Sequence, residues 1–180
     1  MIYVLLADGF EEVEALAPID ILRRAGLSLK TVAIDQNPVT GSHGIPVTAD
    51  ITIDEASEPI ELLVLPGGMP GAANLDASPA VDRLIKRALA EGGHIAAICA
   101  APMILGRRGL LVGKQAVCYP GFEEELHGAL PCAEGCRVVT DGCITTAIGM
   151  GAAAEFGLAL LRALHKDAQA EAIAKAAFLQ

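Results

Sequence analysis

Cys99 has the sequence context of a nucleophile held at the end of a strand. It closes the apolar segment His94-Ile-Ala-Ala-Ile and is followed by Ala100, Ala101 and Pro102. Small residues directly after the cysteine leave room for a sharp turn from a strand into a helix. A helix N-terminus beside the sulfur lowers the pKa of a thiol and favours the reactive thiolate. The alternative is an inert core thiol, because cysteine is among the most buried residue types.

Glu14 is an acidic residue on the apolar face of a predicted helix. At about 100° per residue, it shares this face with Phe10, Ala17 and Ile21. Burial there would raise the pKa of the carboxyl, which would then keep its proton near neutral pH. Alternatively, the carboxyl favours the helix dipole and reaches water at the helix end.

The residues just before Glu14 have structural interpretations. Asp8 and Glu11 are spaced as a capping box, which accounts for both of them. Glu12 points away from the apolar face, so we expect it to be solvated.

A glycine-rich loop, Pro66-Gly-Gly-Met-Pro-Gly71, follows another apolar segment. It matches neither phosphate-binding signature, because it contains no G-x-G-x-x-G and no G-K-[ST]. Its glycines allow backbone N–H groups to approach a ligand closely, as an oxyanion site requires. A tight exit from a strand explains the same residues equally well.

The other cysteines suggest less chemistry. Five cysteines in a reducing compartment predict free thiols, and we expect Cys118 and Cys143 to lie in the core. Cys132 and Cys136 lie near His127, but their spacing differs from the usual zinc patterns, so we expect no metal.

Strands and helices must position these residues, and the alternation of apolar and helical segments along the chain predicts where they lie. Strands are predicted over 2–7, 29–35, 47–53, 62–65, 95–98, 116–118, 137–140 and 144–147. Helices are predicted over 11–25, 79–90 with Ser78 as N-cap, 100–105, 152–165 and 168–178. The Asp141-Gly142 pair indicates a turn between antiparallel strands. The pattern predicts an α/β fold, a mostly parallel sheet with helices on both faces, and a site where the strands end.

Composition excludes several classes of protein. The chain has 180 residues, of which 53% are hydrophobic and 3% aromatic, so it forms one core rather than a disordered chain. The uncharged run 95–106 is shorter than the roughly 20 residues that cross a bilayer. The net charge of −9, with basic residues clustered only in pairs, argues against nucleic-acid or membrane partners. The first residues lack a basic region, so we expect a cytoplasmic protein.

Taken together, three motifs resemble the ThiJ/PfpI superfamily, and within it the Parkinsonism-associated protein deglycase branch. They are Ala7-Asp-Gly-Phe-Glu-Glu-Val-Glu14, Leu65-Pro-Gly-Gly-Met-Pro-Gly71 and Ala97-Ile-Cys-Ala-Ala-Pro102. The resemblance extends to segment 19–26, to Gly149-Met-Gly151 and to segment 155–160, and thus covers almost the whole chain. It implies one domain over residues 1–180, similar to class I glutamine amidotransferases, with a flavodoxin-like three-layer sandwich that forms a homodimer.

The resemblance also implies roles for single residues. Cys99 would be the nucleophile and oxidation-sensitive thiol, and Glu14 the protonated acid hydrogen-bonded to it. The N–H groups of Gly68 and Ala100 would form the oxyanion site. Residues Gly67, Tyr119 and Gly149 would bind substrate. The implied activities need no cofactor: conversion of methylglyoxal or glyoxal to hydroxy acids, removal of early glycation adducts, and oxidative-stress protection or chaperoning.

Two positions depart from the family pattern. The protease-like branch has a histidine directly after the nucleophile, whereas this chain has Ala100, which leaves a peptidase mechanism without a base. The deglycase branch often has a histidine before Pro120, whereas this chain has Tyr119. A phenol is a poorer proton shuttle at neutral pH than an imidazole.

Three functions are consistent with these residues. The first is an enzyme that acts on small reactive carbonyls through Cys99. The second is a redox sensor or holdase chaperone that uses oxidation of Cys99 without turnover. The third is an α/β binding module in which Cys99 belongs to the core.

Overall fold

A computed structural model describes residues 1–179 and shows nine strands and six α-helices in this part of the chain. The strands are β1 Ile2–Leu6, β2 Leu29–Ala33, β3 Val39–Thr40, β4 Pro46–Val47, β5 Ile51–Thr52, β6 Leu62–Leu65, β7 His94–Ile98, β8 Val138–Asp141 and β9 Ile144–Ala147. The helices are α1 Glu12–Arg24, α2 Gly71–Ala77, α3 Pro79–Ala90, α4 Pro102–Arg107, α5 Ala153–Ala163 and α6 Asp167–Ala176.

Seven strands form one sheet in the order β5-β2-β1-β6-β7-β9-β8. All neighbouring pairs are parallel except β8 and β9, which are antiparallel around the predicted turn. Strands β1, β6 and β7 are buried along their whole length, as expected for parallel strands covered on both faces. Strands β3 and β4 form a separate two-stranded ribbon.

Two apolar cores lie on the two faces of the sheet. In β1, Tyr3 and Leu5 contribute to the core that contains residues of α2, α3 and α4. The alternate residues Ile2, Val4 and Leu6 contribute to the core that contains residues of α1, α5 and α6. This arrangement is the predicted flavodoxin-like three-layer sandwich, and the predicted fold class is confirmed.

Several predicted elements are wrong in detail. The predicted strand 47–53 is divided into two short strands. Between these strands, the N–H and the carbonyl of Ala49 are both hydrogen-bonded to the side-chain amide of Asn37 and not to a neighbouring strand. Segment 116–118 is not a strand, and the N–H of Val117 donates to the hydroxyl of Thr146 instead. Helix α2 was not predicted, and Ser78 precedes α3 without a side-chain cap bond.

The expectation of five free thiols is also wrong, because Cys132 and Cys136 form a disulfide within a loop. Cys118 is buried as predicted, whereas Cys143 is exposed because it lies in the turn between β8 and β9. Within residues 1–179, no helix is both long and apolar enough to span a lipid bilayer.

Candidate active site

The carboxyl ends of β1, β6 and β7 are neighbours in the sheet, and the loops that follow them are in direct contact. The N–H of Glu11 donates to the carbonyl of Gly67 at 2.9 Å, and that of Gly71 donates to Gly9 at 3.1 Å. The side-chain amide of Asn74 donates to the carbonyl of Asp8 at 2.9 Å. The three predicted loops therefore meet at one edge of the sheet, as the parallel topology requires.

Cys99 lies at the turn that follows β7, in the left-handed region with a φ of 65°. Its N–H donates to the carbonyl of Ala147 at 2.9 Å, and its carbonyl accepts from the N–H of Tyr119 at 2.8 Å. The side chain is half-buried, and the N–H groups of Gly68 and Ala100 face its sulfur. A backbone held from both sides in a conformation rare for a non-glycine residue fixes the direction of the thiol.

Gly67 closes the space beside this thiol. A Cβ built at Gly67 would lie 2.5 Å from the Cβ of Cys99 and 2.5 Å from Oε2 of Glu14. No side chain fits at this distance, so glycine is required at position 67 for Glu14 and Cys99 to approach each other.

The Glu14 carboxyl is buried, with 1% of the residue exposed, as the helical pattern predicted. Its Oε2 has no formed hydrogen bond among the described residues, although the Cys99 thiol and the N–H groups of Met150 and Gly67 face the carboxyl. Burial raises the pKa of Glu14 to about 7, with a smaller contribution from the negative charge of Glu11. The carboxyl can therefore accept and release a proton near neutral pH.

The predicted lowering of the Cys99 pKa is wrong. Burial and the charge of the facing Glu14 carboxyl raise the pKa of the thiol to about 12, against the lowering effect of the N–H groups of Gly68 and Ala100. Helix α4 has only six residues and begins at Pro102, so it offers little stabilisation to a thiolate. Because Glu14 and Cys99 face each other, the protonation state of one group changes the pKa of the other.

Gly149 lies beside the other carboxyl oxygen of Glu14, and the Tyr119 ring lies beside Gly149. A Cβ at Gly149 would lie 3.3 Å from the Tyr119 ring and 3.5 Å from Oε1 of Glu14. Gly149 has a φ of 149°, which only glycine adopts readily, and Tyr119 is 51% exposed. The structure thus brings together all seven residues that the sequence analysis assigned to the site: Glu14, Gly67, Gly68, Cys99, Ala100, Tyr119 and Gly149.

Two predictions for the start of α1 are wrong. The N-cap is Glu11, whose carboxylate accepts from the N–H of Glu14 at 2.7 Å, whereas Asp8 accepts from the N–H of Thr40 at 2.8 Å. Glu12 is buried, because the loop between β3 and β4 covers it. Burial by itself raises the pKa of Glu12, but hydrogen bonds from the ring and the N–H of His43 lower it to about 2.

Glu11, Glu12 and His43 also place one ligand atom each within 4.8 Å of one another, so they are the group in the described part of the chain that could hold a metal ion. Both carboxylates already accept hydrogen bonds, from Glu14 and His43. Cys132 and Cys136 are joined to each other, which leaves no thiolate there for zinc.

The sequence analysis missed two residues that support the site. The N–H of Met150 faces the Glu14 carboxyl and lowers its pKa. The hydroxyl of Thr146, which is fully buried, holds the segment that leads to Tyr119 by accepting the N–H of Val117 at 2.9 Å. The glycines that flank Met150 signalled an unusual backbone there, but no sequence pattern indicated Thr146.

Comparisons with known proteins agree with this geometry. The model of the DJ-1/PfpI family matches residues 1–163. The chain is 35% identical over 178 residues to Protein DJ-1 homolog A of Arabidopsis thaliana, covering 97% of this chain and 45% of that relative. The chain thus spans less than half the length of this relative. A deglycase of Pyrococcus horikoshii is 34% identical over 140 residues, covering 77% of this chain and 83% of that protein.

A solved structure, that of oxidised DJ-1 from Toxoplasma gondii, has the same fold as this chain. It superposes with a TM-score of 0.92 at 36% identity, covering 98% of this chain and 97% of that one.

Proposed function

The chain belongs to the DJ-1/PfpI family, and on this premise we propose that it is a cofactor-independent cysteine enzyme that detoxifies reactive carbonyl compounds. Its substrates would be methylglyoxal, glyoxal or the early adducts that they form on proteins. The observation that carries the proposal is the Glu14 carboxyl, with a pKa of about 7, facing the Cys99 thiol. The archaeal relative named deglycase supports this substrate class.

The reaction begins when the Glu14 carboxylate takes the proton of the Cys99 thiol. This transfer forms the nucleophile because protonation of Glu14 removes the negative charge that raises the pKa of the thiol, and the N–H groups of Gly68 and Ala100 stabilise the thiolate. The thiolate adds to the aldehyde carbon, and the former carbonyl oxygen becomes an alkoxide that accepts hydrogen bonds from Gly68 and Ala100. Glu14 returns its proton to this alkoxide, which gives a hemithioacetal and restores the Glu14 carboxylate.

The Glu14 carboxylate then removes the proton of the thiol-bearing carbon and delivers it to the neighbouring carbonyl oxygen, and in a second transfer a proton passes from the hydroxyl on the thiol-bearing carbon to the neighbouring carbon. Through an enediol, the hemithioacetal of methylglyoxal becomes a thioester of lactate. Water hydrolyses this thioester, which releases lactate and restores the Cys99 thiol. The net reaction is methylglyoxal plus water to lactic acid, with no external oxidant or reductant. Ala100 offers no base for peptide hydrolysis, so the proposal excludes a peptidase.

Three further residues shape the substrate site in this proposal. Gly67 carries no side chain that would separate Glu14 from the thiol, and Gly149 leaves the space beside Oε1 of Glu14. Tyr119, whose ring packs against Gly149 and is half-exposed, contacts the part of the substrate that extends towards solvent.

Incubation with methylglyoxal, followed by an assay of lactate, tests the proposal. We expect lactate from the parent protein, none from Cys99→Ala, and unchanged production from Cys143→Ala, which removes an exposed thiol outside the site. Lactate production by Cys99→Ala at the parental rate would exclude the mechanism.

A redox sensor or holdase chaperone is a second candidate, favoured by the half-buried state of Cys99 and by the oxidised form in which a related DJ-1 was solved. A protonated Glu14 can donate a hydrogen bond to an oxidised sulfur and stabilise the sulfinate. After mild peroxide, we expect a mass increase of two oxygen atoms that is absent in Cys99→Ser. Oxidation that falls on Cys118 or Cys143 instead would exclude this function.

We also propose that the protein acts as a cytoplasmic homodimer. Helix α1 exposes Val13 and Leu16, which lie one turn apart and form an apolar surface suited to a second copy. Light scattering after gel filtration measures the mass, and Leu16→Glu would give the monomer mass if this helix lies in the interface.

A further inference from the structure

The loop that contains the Cys132–Cys136 disulfide forms one wall of a cavity beside the candidate active site. The cavity has a volume of about 480 Å³ and is lined by both cysteines, Cys118 and Ile148 among others. Cys118 directly precedes Tyr119, and Ile148 directly precedes Gly149. Cys99 and Glu14 are not part of the lining, so this cavity is separate from the thiol site but shares its neighbouring backbone.

The disulfide closes only a single turn of chain. Its cysteines are four positions apart, and the N–H of Cys136 donates to the carbonyl of Ala133 at 3.0 Å within the same turn. The segments on either side are held independently, by Leu130 donating to Lys114 and by Ile148 donating to Arg137. A disulfide over so short a loop contributes little to global stability. Its reduction would therefore release the turn without unfolding the sheet.

The disulfide is also accessible. Residues 133–135 are exposed and both cysteines are half-buried, so a thiol in solution can reach a sulfur atom. Cys118, in contrast, is buried, and burial raises the pKa of its thiol to about 11, so it does not attack the disulfide itself.

We propose that Cys132 and Cys136 form a reversible dithiol–disulfide site that controls access to this cavity, with glutathione as the reductant. A glutathione thiolate attacks one sulfur, the Cys132–Cys136 bond breaks, and a mixed disulfide forms. A second glutathione thiolate then displaces the protein thiolate. Two glutathione molecules are oxidised to their disulfide, and the protein gains two electrons and two protons as two thiols. In the oxidised state the turn stays in the wall of the cavity, and in the reduced state it can move away from it.

The redox part is tested by equilibrating the native protein in glutathione buffers, quenching with acid, alkylating with N-ethylmaleimide and mapping the peptides. We expect Cys132 and Cys136 to be unlabelled in oxidised buffer and both labelled in reduced buffer, without denaturant. Labelling only after denaturation, or labelling in every buffer, would overturn the proposal.

The gating part uses Cys118 as a probe inside the cavity. We expect its alkylation in native protein to become several-fold faster in the Cys132→Ser/Cys136→Ser double variant, and to keep the parental rate in Cys143→Ser. Parental protein that has been reduced and freed of reductant gives the same comparison without substitutions. Equal Cys118 rates in the oxidised and reduced states would show that the turn does not control access. Neither experiment depends on Cys99, so the outcome of each is independent of the proposed carbonyl chemistry.

Discussion

A Cβ at Gly67 would lie 2.5 Å from the Cβ of Cys99, which is closer than any two such atoms can pack. We expect Gly67→Ala to abolish lactate production from methylglyoxal, because the added methyl group displaces the thiol from Glu14. Gly151→Ala is the matched control, since its Cβ meets only the Arg137 guanidinium at 3.6 Å. Equal loss of activity in both variants would indicate general damage to the fold.

The buried carboxyl of Glu14 makes stability depend on pH. Its pKa is about 7 in the folded protein and 4.5 when exposed, a difference that corresponds to roughly 3 kcal/mol. A raised folded pKa means that the folded state holds the proton more tightly than the unfolded state. The contribution of Glu14 to stability is therefore fully present below pH 4.5 and is lost as the pH rises towards 7. We expect Glu14→Gln to remove this decline.

Denaturant unfolding of the parent and of Glu14→Gln across this pH range measures the effect. Glu11→Gln is the control, because it removes a neighbouring charge but leaves the buried carboxyl in place. Parallel pH profiles for the parent and Glu14→Gln would contradict the assigned pKa.

The family resemblance implies a histidine as the proton shuttle at position 119, where this chain has Tyr119. Since imidazole exchanges protons between about pH 6 and 8 and a phenol does not, we expect Tyr119→His to raise the turnover of methylglyoxal in this range. Tyr119→Phe keeps the ring that packs on Gly149 and should stay close to the parental rate. A His variant no faster than the Phe variant would show that position 119 takes no part in proton transfer.

The ring of His43 donates to Oε2 of Glu12 at 2.8 Å and holds the loop between β3 and β4 on the start of α1. We expect His43→Ala to lower the free energy of unfolding at neutral pH, since it removes a hydrogen bond from the exposed ring to the buried Glu12 carboxylate. The difference should shrink below pH 4.5, because the low folded pKa of Glu12 stabilises the protein only while the carboxylate is ionised.

Calorimetry of the two proteins between neutral and acid pH tests this expectation. His127→Ala serves as the comparison, because its ring is also exposed and lies 4.0 Å from Glu125. An equal effect of both substitutions at every pH would exclude a specific role for the Glu12 contact.

Local patterns in the sequence were sufficient to predict the central strands and the burial of Glu14, whereas the pairing of Glu14 with Cys99 was implied only by the family resemblance. Strands β1, β6 and β7 are uninterrupted apolar runs, and the parallel topology places the residues after them at one edge. Glu14 was predicted to be buried because helical periodicity alone places it on the apolar face of α1.

The errors arise where a distant segment supplies a partner. Asn37 divides the predicted strand 47–53, and the loop that carries His43 buries Glu12. Neither contact leaves a pattern in the local sequence. The Cys99 pKa depends on a balance between burial and N–H donors from two loops, and only the folded arrangement determines its sign.

The left-handed backbone conformation of Cys99 lowers the stability of the folded protein, although it presents the thiol in the candidate active site. A non-glycine residue at a φ of 65° carries a conformational penalty of roughly 1–3 kcal/mol, which glycine at the same position would avoid. Selection for robustness alone would therefore drive this position towards glycine and erase the thiol. A cysteine retained here acts as a marker of continuing use, and descendants of this chain that lose the carbonyl or redox role would be expected to lose Cys99 before they lose the fold.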